Sequence, residues 1–112
     1  MIVLRRSEVA RYCRAVHYRG AGWPQSYLLT LWRYFSVPEL MGREYWLSEQ
    51  AITIKRPLVL DHAYAARLVR CGREAHQHGE LWRYQLILLA KQQEVATCLT
   101  TIWVASVLTP AI

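Results

Sequence analysis

From Glu80 to Thr109 the chain contains neither glycine nor proline, the longest such stretch in its 112 residues. This constrains the fold more than any other feature, because nothing in the stretch marks a turn or ends a helix. Trp82, Leu86, Leu89, Ala96, Trp103 and Val107 are spaced by threes, fours or their sums. They form one stripe on a 3.6-residue period. The pattern predicts a single long C-terminal helix on which the rest of the chain packs.

The preceding residues read as shorter helical pieces. Ser7 is placed as an N-cap with Glu8 in the first turn, where a carboxylate suits the helix dipole. Val9, Tyr12, Cys13 and Val16 follow at i, i+3, i+4 and i+7. Gly20 and Gly22 end that helix, and Pro24 opens a second one, apolar on nearly every side from Gln25 to Phe35. Ser36 to Glu39 matches a capping box, which predicts a third helix from Val37, weakened by Gly42. Residues 51–60 are ambiguous: Ile52-Thr53-Ile54 is β-branched and predicts a short extended segment. From Leu58 to His78 the period is helical again, with Gly79 as its stop. The expected fold is therefore all-α: one helical domain over residues 1–112, a bundle of four or five helices around the long C-terminal one.

Chemistry is sparse. The fragment Cys71–Glu80 offers Cys71, Glu74 and His78 on one face of a helix, but that spacing matches no zinc pattern, and no metal or cofactor is expected. A glycine-rich phosphate loop and a nucleophile elbow are both missing. Three cysteines without CxxC spacing suit a reducing compartment, and the N-terminus does not have the charge order of a secretory signal. A cytoplasmic protein without catalytic residues is expected.

The net charge of +6 comes from twelve arginines and two lysines against eight acids. Arg5, Arg6, Arg11 and Arg14 form one cluster, and Arg67, Arg70 and Arg73 recur at three-residue spacing in another. Guanidinium groups so placed are suited to phosphates or to an acidic protein surface. The first expectation is thus a basic, non-enzymatic accessory or regulatory module that contacts nucleic acid. A helix-turn-helix is disfavoured by the apolar second helix. The second expectation is a protein-interaction subunit or inhibitor, either a homo-oligomer or a part of a larger assembly. Val95 to Ile112 is uncharged, so Val95, Leu99, Ile102, Trp103 and Val107 are taken as its interface. A weaker third reading anchors the same segment in a membrane, although its threonines make it a poor span.

Overall fold

The computed structural model describes residues 1–105. Within them the stretch expected to form one long helix is an antiparallel hairpin: β4 spans Gly79–Ala90 and β5 spans Gln93–Ala105. A period of two prevails over the period of 3.6. Trp82, Tyr84, Leu86 and Leu88 alternate along β4, and Ala96, Cys98, Ile102 and Val104 along β5, and all eight are buried. Alternation of this kind is what a strand with one packed face requires. The hairpin needs no glycine at its tip because Lys91 and Gln92 take φ of 51° and 66°. Two successive positive φ values are the signature of the tight turn that matches the twist of paired strands.

With the remaining strands the described residues form a five-stranded sheet. β1 is Ile2–Val3, β2 is Tyr45–Ile54 and β3 is Ala63–His76. Their spatial order is β1-β3-β4-β5-β2, with all pairs antiparallel. The helix expected over Leu58–His78 is therefore β3, turned into β4 at Gln77 and His78. Gly79 opens a strand where it was expected to end a helix. A Cβ there would run into the Val104 carbonyl oxygen and come within 2.7 Å of the Trp103 ring, so the site requires glycine for close approach. The β-branched signal at Ile52–Ile54 is real, and its strand extends back to Tyr45.

Among the described residues, helical structure is confined to the segment between β1 and β2. The first expected helix exists as α1, Arg6–Ala15. Its N-cap is Arg5, not Ser7, and the Arg6 N–H donates to the Asp61 carboxylate at 2.9 Å. Gln25–Tyr34 forms 3₁₀ turns, and the third expected helix shrinks to one turn at Pro38–Leu40. Gly42, at φ 74°, follows it. An all-α bundle around a long C-terminal helix is thus corrected to an antiparallel sheet with a helical layer on one face.

The core lies between that layer and the sheet. Tyr27, Leu28 and Leu31 of the 3₁₀ segment and Val9 of α1 pack on Leu86, Leu88, Ala96 and Cys98. A second cluster joins Leu40 to Trp82, Tyr84, Ile102 and Val104. Among the described residues no helix is long and apolar enough to cross a membrane. The segment considered as a membrane anchor is strand β5 up to Ala105, and its remainder lies outside the described residues.

A candidate slot under the helical layer

The helical layer does not seal against the sheet near β2. Leu29 and Trp32 from the 3₁₀ segment, Leu40, then Tyr45, Leu47 and Gln50 from β2, and Thr100 and Ile102 from β5 surround a slot of about 270 Å³. The sheet register explains its floor. Tyr84 on β4 pairs with Thr100 on β5, which pairs with Gln50 on β2, giving a row of three polar side chains across three strands. Trp32 stands over this row, its ring edge-on to Tyr84 with centroids 5.1 Å apart. The walls are otherwise apolar. This is the composition expected of a small-molecule site: apolar lining with a few placed polar groups.

Two polar groups here are buried without a partner among the described residues, the Trp32 Nε1–H and the Thr100 hydroxyl. Most buried polar atoms are hydrogen-bonded, so two in one slot stand out. Their neighbour Tyr84 is satisfied: its hydroxyl donates to Glu39 Oε1 at 2.9 Å. Glu39 is held below its ordinary range by its own backbone N–H, then by the Tyr84 hydroxyl, with Arg70 adding a smaller effect. Burial, reinforced by the Glu39 carboxylate, pushes the Tyr84 phenol up, so it stays protonated. Cys98, on the same sheet face, is pushed up to about 11 by burial and remains an inert thiol.

Next to the slot, Trp82 is 1% exposed and bears three guanidinium groups. Arg43, Arg70 and Arg73 stand 5.1, 5.6 and 5.0 Å from its ring centroid. Its indole N–H donates to Glu80, which also pairs with Arg73 at 2.7 Å. Cations over an indole face are held by its quadrupole.

The sequence-derived candidates are dispersed by this architecture. Arg5, Arg6, Arg11 and Arg14 all lie on or beside α1. Arg5 approaches Glu8 at 3.9 Å, and Arg6 approaches Asp61 at 3.5 Å. Arg11 borders a hollow with Glu8, Tyr12 and Arg33. Arg67 is separated from Arg70 and Arg73. It pairs in register with Ile87 on the outer face, whereas a bulge after Arg70 turns Arg73 to the inner face opposite Trp82. Three-residue spacing that would wind around a helix thus sorts onto two faces of a strand. Of the expected interface, Val95 and Ile102 are buried in the chain's own core, Leu99 and Trp103 are on the outer face, and Val107 lies outside the described residues.

Cys71, Glu74 and His78 also lose their shared face. In an extended strand five residues already span about 16 Å, and Glu74 is engaged with Arg83 at 2.8 Å. Sequence reasoning missed Trp32, Gln50, Tyr84 and Thr100. Only the alternation along β4 and β5 could have pointed to the row, since the pairing that assembles it is long-range.

A larger hollow, about 880 Å³, lies near the β4–β5 turn, among Arg56, His62, Ala65, Arg67, Leu89 and Lys91. Its charged side chains are exposed and it contains none of the buried unpartnered atoms, so the smaller slot is the better candidate.

No family profile matches the sequence, and no curated protein matches it. Among solved structures the chain is similar to one in the C-terminally truncated HadBC complex, a 3R-hydroxyacyl-ACP dehydratase from Mycobacterium tuberculosis. The TM-score is 0.75 at 12% identity, covering 91% of this chain and 88% of that one. The likeness is one of fold, a hot-dog-like sheet around a helical segment. The expectation of a nucleic-acid-binding module rests on the charge and spacing of arginines, and that of a protein without enzymatic activity on missing catalytic motifs. The fold and its likeness to a dehydratase chain correct both.

Proposed function

We propose that the chain is a subunit of an enzyme that handles acyl groups carried as thioesters, in hydratase or dehydratase chemistry. The observation that carries this reading is the apolar slot between the 3₁₀ segment and the sheet, open beside β2, the edge strand of the sheet among the described residues. The similarity of fold to a hydroxyacyl-ACP dehydratase chain supports it. An acyl group would lie among Leu29, Leu40, Leu47 and Ile102. Arg43 and Arg70, which have no ion pair among the described residues, would face a phosphate of the thioester's carrier.

Loss of water from a hydroxyacyl thioester needs a base for the α-hydrogen and an acid for the departing hydroxyl. The residues lining the slot include no carboxylate and no imidazole. We therefore place those two groups on a second chain, a copy or a companion, brought in across β2. That edge exposes Tyr45, Trp46 and Leu47 at 49, 54 and 58%. Exposed apolar side chains on an edge strand are surface that a partner covers. Three free cysteines suit a cytoplasmic setting.

The test titrates the purified protein with a medium-chain acyl pantetheine thioester, read by quenching of tryptophan fluorescence, and assays hydration of the matching 2-enoyl thioester. Saturable binding, with turnover that depends on the associated form, is the expected result. A chain that binds no acyl thioester and stays monomeric would sink the reading.

A further inference from the structure

We infer that the hollow beside the β4–β5 turn is a second ligand site, built for an organic phosphate: a phosphate dianion carried on a small apolar body. The inference is independent of what the slot under the helical layer binds. Arg56, His62, Arg67 and Lys91 border this hollow of about 880 Å³, and no carboxylate does. Val59, Ala63, Ala65, Leu89 and Val95 give it apolar walls.

Three segments bring the four basic groups together. Ala63, Ala65 and Arg67 alternate along β3, so they share one face of the strand. Ala65 pairs with Leu89 on β4, which carries that face across to the next strand. Lys91 follows at the tip of the hairpin, held at φ 51°. Arg56 and His62 come from the connection between β2 and β3. That connection is fastened along its length. The Lys55 N–H donates to the Val95 carbonyl at 2.8 Å, and the Asp61 N–H to the Leu4 carbonyl at 2.7 Å. Between them the Val59 N–H donates to the Tyr64 hydroxyl at 2.8 Å. A wall already in place spares a ligand the entropy of ordering it.

The charges around the hollow are unbalanced. Two acids lie close by in the chain, and both are engaged outside the lining. Asp61 accepts from the Arg6 N–H and approaches its guanidinium at 3.5 Å, and Glu94 pairs with Lys55 at 2.9 Å. Among the described residues Arg56, His62, Arg67 and Lys91 form no ion pair. Two guanidinium groups and an ammonium without a counter-ion favour a dianion over a monoanion. Guanidinium forks match phosphate oxygens in pairs, and an ammonium adds a point charge. These groups alone would suit inorganic phosphate. The apolar walls add a preference for an ester whose body they cover.

The experiment titrates the full chain with inorganic phosphate, phenyl phosphate and benzoate by calorimetry. It is run at physiological ionic strength, where isolated surface charges are screened. Phenyl phosphate is expected to bind about tenfold tighter than inorganic phosphate, which lacks the body, and than benzoate, which carries one charge. Hexyl phosphate and adenosine monophosphate then tell the source of the ester, the tighter of the two marking a lipid-like or a nucleotide ligand.

Variants locate the binding. Arg56→Gln and Arg67→Gln, both at exposed positions, should each weaken phenyl phosphate about tenfold, the worth of a charge-assisted hydrogen bond. Arg14→Gln removes the same charge from the exposed surface of α1 and should change nothing. Ala65→Glu sets a carboxylate in the hollow and should abolish binding. Equal affinity for inorganic and phenyl phosphate, or an equal loss in Arg14→Gln, reduces the hollow to general surface charge and overturns the inference. So does binding of none of the phosphates. Loss in Arg70→Gln but in neither Arg56→Gln nor Arg67→Gln puts the phosphate beside Trp82. That result also overturns the inference and leaves the thioester reading standing.

Discussion

At the scale of single residues, three glutamates connect the fold to acidity. Glu39 is held below the ordinary 4.5 by its own backbone N–H and then by the Tyr84 hydroxyl. Glu74 is lowered by its hydrogen bond to Arg83, and Glu80 by the Trp82 indole and then Arg73. A carboxyl group whose folded value is depressed contributes stability above its unfolded value, and loses it as pH falls through the folded one. The protein should therefore hold its melting temperature from neutrality down to about pH 5 and then lose it on further acidification. Glu39→Gln keeps an acceptor for Tyr84 but cannot titrate, so its acid decline should be shallower than that of the wild type. Equal slopes in a series of melts against pH would show that the carboxylate of Glu39 is not held by Tyr84. Glu39 and Glu74 are exposed and Glu80 is half-buried at the surface, so each individual effect is small.

At the scale of elements, the edge strand β2 decides whether the chain is complete by itself. Its outer positions Ala51 and Thr53 are exposed, opposite Leu99 and Thr97 on β5. Natural edge strands resist pairing by carrying lysine, and β2 carries none between Tyr45 and Ile54. The double change Ala51→Lys with Thr53→Lys adds like charges along that edge. The expected result on sizing chromatography is a shift from associated to monomeric protein, with a stability change within about 1 kcal/mol because neither side chain is buried. An unchanged elution volume would place the contact elsewhere. The same element shows what the sequence could reveal. Val9, Tyr12 and Cys13 marked α1 correctly, and Ile52-Thr53-Ile54 marked the end of β2. The hairpin of β4 and β5 was hidden for two physical reasons. Its turn places Lys91 and Gln92 at positive φ without any glycine, asparagine or aspartate as a marker. Its apolar residues are also so dense that threes and fours can be picked out of an alternating run. The row of Tyr84, Thr100 and Gln50 could not be read at all, because it exists only once strands far apart in sequence are paired.

At the scale of the whole molecule, the order in which the strands pair predicts how the chain folds. The β3–β4–β5 meander closes through two tight turns, so its contacts form early and at low loop-closure cost. β2 must join from far away: Tyr45 pairs with Val104 and Ile54 with Ala96. β1 is as remote, with Ile2 against Tyr64. Topologies dominated by such distant pairs refold in milliseconds to seconds, whereas a bundle of local helices would do so in microseconds to milliseconds. Two truncations locate the slow step. Leu86→Ala empties a fully buried position in β4, and Ile52→Ala trims a partly buried one in β2. Each should cost about 2 kcal/mol or more, enough for a kinetic comparison. If the meander is the nucleus, Leu86→Ala slows refolding, while Ile52→Ala leaves refolding nearly unchanged and speeds unfolding. Stopped-flow fluorescence on both arms of the denaturant dependence measures this. If Ile52→Ala slows refolding as much as Leu86→Ala does, β2 is docked before the barrier. The slot between β2 and the helical layer would then be assembled with the nucleus and not after it.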